Sequence, residues 1–252
     1  MELQYPRFFA RFYDIIYQNL RDSVDNQFFL QEIETTDGCI LEVGAGTGRL
    51  FIEALNRQAD IYGIDISTSM IEVLKSKINR QHYFRIEENN VLHFQHENPY
   101  NLIIAPFRVF MHLLTKEEQI QAINNIYDHL LPGGKFIFDA FVPDVKHLSK
   151  DAKEEMDFEG EYIPGRKLRR YITTKPDIIN QRIDITFRLK WDEDDGFKQD
   201  RWEVPIHFFF RYELEHLIER TKFRGNYNLY GDYSKNGLTS DSTDFVIICY
   251  KQ

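Results

Sequence analysis

Cysteine is scarce in this 252-residue chain: it has only Cys39 and Cys249, and neither stands in a Cys-x-x-Cys pair or beside histidines at metal-ligand spacing. A disulfide framework and a zinc site therefore have no support, no metal is expected, and both thiols read as small apolar fillers. Long apolar runs are missing too. The longest, 40–43 and 102–107, fall far short of the roughly 18 residues a membrane helix needs. The N-terminus, with Glu2 and Arg7 among aromatics, lacks the basic-then-apolar layout of a secretion signal. These absences predict a cytoplasmic protein without a membrane partner. Positive charge is also in deficit: 31 Lys and Arg against 40 Asp and Glu leave a net charge of −9, a field that repels nucleic acid and anionic lipid. The one basic run, Arg166, Lys167, Arg169 and Arg170, reads as a solvated strand face. No internal repeat or low-complexity linker interrupts the chain.

Aromatic residues, by contrast, are plentiful, with 21 Phe and 14 Tyr, and the length suits one large α/β domain carrying a smaller lobe. Phe8, Phe9, Phe12, Ile15, Ile16 and Leu20 recur at spacings of three and four, which predicts a helix, and a second is expected over 24–33. The period then changes. Asp37 and Gly38 turn the chain into a short strand over 39–43, glycines punctuate 44–48, and helical spacing resumes over 50–55. A second strand over 61–66 and a helix over 68–78, capped by Ser67, complete a βαβ unit. Strands over 83–87, 102–105 and 135–141 and a helix over 116–130 continue the alternation of a doubly wound parallel sheet. From 162 to 210 the pattern becomes period two, with a hairpin turn at 192–196, so antiparallel strands are expected there. A helix over 212–220 and a strand over 245–250 close the chain.

The chemistry concentrates in Glu42-Val43-Gly44-Ala45-Gly46-Thr47-Gly48-Arg49, at the carboxyl end of the first strand. Ligands bind at that position in an open parallel sheet. Glycines let the backbone approach a ligand closely, and the next helix offers free amides. The spacing is G-x-G-x-G, because Arg49 stands where a dinucleotide fingerprint needs glycine. Glu42 would repel a pyrophosphate but balance a cation, which points to a sulfonium amino acid. Asp65, ending the second strand, can accept from both hydroxyls of a ribose.

The runs 40–48, Gly63-Ile64-Asp65-Ile66-Ser67-x-x-Met70, Leu130-Leu131-Pro132-Gly133-Gly134 and Phe12-Tyr13-Asp14-Ile15-Ile16-Tyr17 resemble the class I S-adenosylmethionine-dependent methyltransferases. The likeness is strongest to bacterial small-molecule members that methylate amino sugars. It implies a mostly parallel seven-stranded Rossmann-like sheet with an antiparallel β insert after strand 5. It divides the chain into 1–142, a helical flap and cofactor-binding core; 143–211, the insert or lid; and 212–252, the completion of the core. Carried over by position, Glu42, Gly44, Ala45, Gly46 and Gly48 would surround the methionine part of S-adenosylmethionine, and Asp65 would hold its ribose. Ile66 and Met70 would flank the adenine, whose edge would meet Val91 beside Asn90, where the family usually carries Asp. Tyr13 and Tyr17 would close the flap, and Pro106 completes the set. The implied partner is a small-molecule amine or hydroxyl acceptor, and the implied assembly a monomer or homodimer.

Methyl transfer needs alignment more than acid or base. If the acceptor must lose a proton, His112, in the loop after the fourth strand, is the first candidate base and Asp139 the second. Arg108 is placed to orient an acidic substrate. In the insert, Tyr162, Trp191, Trp202, Phe208 and Phe210 could line a pocket or a dimer face, with the sheet's apolar side packed on the core.

Overall fold

The structure, a computed structural model, describes residues 4–20, 23–149 and 153–252; Glu2 lies outside them. The aromatic stripe winds α1 (Arg7–Leu20), and α2 (Val24–Glu34) buries Phe28, Phe29, Leu30 and Ile33. All four residues of β1 (Ile40–Val43) are buried, as a central strand covered on both faces requires. α3 (Phe51–Asn56), β2 (Ile61–Asp65) and α4 (Thr68–Lys77) follow, and the Ser67 hydroxyl accepts from the Met70 amide to cap α4. The third strand is shorter than expected. Residues 83–85 belong to a 3₁₀ turn, Arg80–Arg85, because Asn79 caps its first amides, and only Ile86–Glu88 forms β3.

β4 (Tyr100–Ala105) leads through a 3₁₀ turn, Val109–His112, into α5 (Lys116–Asp128), started by a capping box between Thr115 and Glu118. The run Leu130 to Gly134 lies inside β5 (Leu130–Phe141), not ahead of it, since Leu130 already pairs with Tyr100. After the short α6 (Val145–Leu148) come β6 (Glu155–Ile163), β7 (Arg166–Asp177), β8 (Arg182–Glu193) and β9 (Gly196–His207), a separate antiparallel sheet in sequential order. The expected hairpin turns where Glu193 pairs with Gly196. α7 (Arg211–Glu219), β10 (Tyr227–Tyr230) and β11 (Asp244–Tyr250) complete the main sheet, whose order is β10-β11-β5-β4-β1-β2-β3. β1 to β5 run parallel, and β11 lies antiparallel to β5. No expectation covered β10, a four-residue edge strand without alternating burial.

Alternation along the parallel strands sends Ile40, Leu102, Ile104 and Ile137 to one face, against Phe29, Phe51 and Leu74. It sends Leu41, Val43, Ile103 and Phe138 to the other, against Ile123, Ile126, Leu214 and Ile218. Most of the insert's apolar face is covered by α1, where Phe9, Phe12 and Ile16 pack on Phe158, Leu168, Leu189, Trp191 and Val204; only its Ile183 and Ile206 end packs on the main core as expected. Each of those three α1 side chains contributes roughly 1.5–3 kcal/mol of burial. The other side of α1 reaches the glycine turn and α4, where Asp14 pairs with Lys77 at 2.5 Å and accepts from Thr47 at 2.6 Å. Among the described residues no helix is long and apolar enough to cross a membrane.

The basic run is not a uniformly solvated face. Arg170 is buried, paired in bidentate fashion with Asp157 at 2.7 and 3.0 Å and sandwiched by the rings of Tyr17 and Phe187. Its inward position follows from β7's alternation, which places it beside Leu168 on the face that α1 covers.

Candidate active site

The carboxyl ends of β1, β2 and β4 open into a cavity of about 980 Å³. Its floor is the glycine turn, which the Gly44 and Ala45 amides tie to Ile64 O at 2.8 and 3.1 Å. Gly44 has φ +75°, and a Cβ there would lie 2.5 Å from Val109 Cγ2, so both its conformation and its surroundings demand glycine. Gly46, at φ +56°, points its amide at Asp65 Oδ2, 2.8 Å away. Asp65 Oδ1 accepts from the Ser67 amide, also at 2.8 Å. One carboxylate thus locks the turn and the start of α4 together. Two of its roughly four lone-pair positions are spent, which leaves capacity for a diol. Burial raises the Asp65 pKa, and these amide bonds oppose the rise.

Glu42, from the middle of β1, is 1% exposed, and its Oε2 is buried without a partner. Burial pushes its pKa well above the usual carboxylate range, the charge of Asp65 adds to the rise, and Arg49 works against it. Arg49 is itself committed, 2.6 Å from Asp25 and stacked 4.2 Å over the Phe107 ring. An unpartnered buried acceptor is uncommon and costs stability. Here it faces a cavity that a cation can enter.

Of the residues expected to bind cofactor, Tyr13, Glu42, Gly44, Ala45, Gly46, Asp65, Ile66, Met70, Asn90 and Val91 line this cavity. Asn90 Oδ1 accepts from the Leu92 amide at 2.9 Å and so orients that wall. Tyr17 and Gly48 do not line it. They border a separate space of about 490 Å³ behind the turn, where the Tyr17 ring lies 4.3 Å from that of Tyr13. Pro106 is off the wall as well, between Ala105 and Phe107, which are on it.

His112 lines the far end of the cavity, where burial lowers its pKa to about 4, so it is neutral at physiological pH. Asp139 is not brought to the cavity wall. Its Oδ1 accepts from the Arg108 amide at 3.0 Å and its Oδ2 from the Tyr233 hydroxyl at 2.7 Å. This holds Phe107 and Arg108 at φ +61° and +67°, a conformation that costs non-glycine residues about 1 kcal/mol or more each. The Arg108 guanidinium lies off the cavity wall too, paired with Asp244 at 3.2 Å. In the insert only Trp202 of the five named aromatics reaches the cavity, beside Glu203 and Pro205. Tyr162 and Trp191 pack on Phe12, Phe208 is buried in the main core, and Phe210 is exposed. Arg49, the last residue of the glycine turn, lines it, as do Gln4, Tyr5 and Phe107, which sequence reasoning did not assign to the site. Phe107 adjoins the assigned Pro106, whereas nothing local marks Gln4 or Tyr5.

Residues 40–134 match the family model described as a methyltransferase domain. An uncharacterized methyltransferase of Anoxybacillus flavithermus is 29% identical over 150 residues, covering 57% of this chain and 66% of that protein. One from Bacillus mycoides is 32% identical over 137 residues, covering 54% and 57%. The chain therefore spans less than two thirds of the length of these curated relatives. Among solved structures, an S-adenosylmethionine-dependent methyltransferase from Clostridium acetobutylicum superposes with a TM-score of 0.77 at 16% identity, covering 97% of this chain and 98% of that one. The CcbJ methyltransferase of Streptomyces caelestis gives 0.75 at 16%, covering 98% and 99%. An amino pentose methyltransferase from Micromonospora echinaspora gives 0.70 at 16%, covering 99% of each. Residues 40–134 are thus a methyltransferase domain, set in the Rossmann-like fold of the S-adenosylmethionine-dependent methyltransferases.

Proposed function

We propose that the protein binds S-adenosylmethionine and transfers its methyl group to a small-molecule amine or hydroxyl. The observation that carries this reading is the unpartnered Glu42 carboxylate in the cavity floor, one strand from Asp65. An ammonium group would satisfy Glu42, a ribose diol would use the remaining capacity of Asp65, and Ile66 and Met70 offer apolar contact to an adenine. A pyrophosphate would meet the same two carboxylates as a repulsive pair. When bound, the cofactor supplies an activated methyl on a good leaving group. The chain's own contribution is to hold that group against the acceptor and exclude water.

For the acceptor, cationic or neutral groups are favoured, because among the described residues Glu42, Asp65, Glu118 and Glu203 line the cavity with one guanidinium, that of Arg49, already paired with Asp25. The amino pentose methyltransferase that shares the fold is in keeping with an amine. We assign His112 to the acceptor end and 143–211 to the acceptor wall, built onto a core made of 1–142 and 212–252. Isothermal titration with S-adenosylmethionine, S-adenosylhomocysteine and NAD tests the reading. Micromolar binding of the first two and none of NAD is expected; binding of NAD alone would end it.

A further inference from the structure

Residues 4–6, just ahead of α1, form a strap across the cavity. Gln4 Nε2 donates to Ile66 O at 2.7 Å, and the Ser67 hydroxyl lies 3.5 Å from Tyr5 O. The Tyr5 ring packs on Trp202 with centroids 4.5 Å apart, and its hydroxyl lies 3.4 Å from His112 Nε2. The other ring nitrogen of His112, Nδ1, is buried with no partner. A neutral imidazole carries one proton, and a buried N–H without an acceptor is tolerated far less often than an idle lone pair. The proton therefore sits on Nε2, facing Tyr5. Burial also keeps a second proton away, since the pKa is lowered to about 4.

Resting on the methyl-transfer reading above, we infer that His112 is a neutral Nε2–H donor that positions the Tyr5 hydroxyl, and that the Tyr5 oxygen is the polar atom an acceptor amine meets. Trp202 and Pro205 supply the apolar wall beside it. His112 then has no lone pair directed at the acceptor and acts as a positioning residue, not as a base. The acceptor must arrive with its nitrogen uncharged and donate an N–H to Tyr5.

NMR of ligand-free, full-length protein labelled with 15N-histidine tests the pair. His112 is expected as the neutral Nε2–H tautomer throughout pH 5–8, with its Nε2 resonance displaced in Tyr5→Phe; an Nδ1–H tautomer, or an imidazolium forming near pH 6–7, overturns the inference. With 13Cζ-labelled tyrosine, the Tyr5 resonance should move in His112→Leu and return towards its original position in His112→Gln, which keeps an N–H donor. Equal displacement in both variants overturns it. Adding aniline, whose nitrogen is uncharged at pH 8, to protein saturated with S-adenosylhomocysteine should shift Tyr5 more than His112, and a response confined to His112, or from neither, counts against the inference. Failure of S-adenosylhomocysteine to bind would instead remove the cofactor reading, because the ligand-free spectra do not depend on it.

Discussion

The two ends of the cavity are assembled differently. The end proposed for the cofactor comes from three short segments at the carboxyl ends of adjacent parallel strands, 42–49, 63–70 and 89–92. Its central bonds are fixed amides on one carboxylate, Gly46 N and Ser67 N on Asp65. The end proposed for the acceptor joins Tyr5, His112, Trp202 and Pro205 from an N-terminal strap, a 3₁₀ turn and an edge strand, and holds them mainly by ring contacts. The first is a rigid cradle shaped by backbone geometry; the second is side-chain packing between separate elements. Binding and acceptor use should therefore come apart under mutation.

Gly44→Val should have the largest effect. Its Cβ collides with Val109 at a positive φ, so a loss of about 3 kcal/mol in denaturant unfolding and no titratable cofactor binding are expected. Retained affinity would show that the cradle is not rigid. Arg170→Ala strands the Asp157 carboxylate under α1 and should cost about 2 kcal/mol, whereas Arg169→Ala, losing only a surface pair with Glu159, should leave the melting temperature unmoved. A comparable loss in both would contradict the inward face of β7. Asp65→Ala should weaken S-adenosylmethionine binding about tenfold through lost charge-assisted bonds; unchanged affinity by titration would remove the ribose assignment.

Glu42 offers a test with a sign. Its carboxyl titrates above the ordinary 4.5 in the folded protein, so the native state keeps a proton that the unfolded chain releases, and stability falls as pH rises from about 4.5 until the folded group ionises. Glu42→Gln escapes that loss. Its stability margin over the natural protein should widen from pH 4.5 towards neutrality while its cofactor affinity drops several-fold, and a margin independent of pH would sink the argument. The smallest change in binding is expected at the acceptor end. His112→Ala should lower turnover on an amine about tenfold while cofactor affinity stays within about twofold. Because His112 is neutral above about pH 4, the pH profile should show no ionisation from it between 5 and 8.

Legibility followed the same division. The glycine turn, Asp65 and the capped α4 were readable because each depends on residues within one βαβ unit, where period and glycine spacing report geometry directly. Local pattern failed where a side chain answers to a distant partner. Asp139 had the position and chemistry of a base, but Arg108 N and the Tyr233 hydroxyl claim both its oxygens. Tyr17 lies one turn past Tyr13, and Gly48 stands between the cavity residues Thr47 and Arg49, yet both face the space behind the wall. The strand β10 was missed because four residues at a sheet edge carry no burial alternation.

The doubly wound sheet, the antiparallel insert and the glycine turn were all readable before folding, since these rest on short-range periodicity and on backbone freedom at glycine. Long-range packing settled what covers most of the insert, which arginine is buried, and that Tyr5 meets His112 across 107 residues of chain. Those outcomes depend on which apolar faces and which unpaired polar atoms come together once the chain has folded, and no local spacing encodes that.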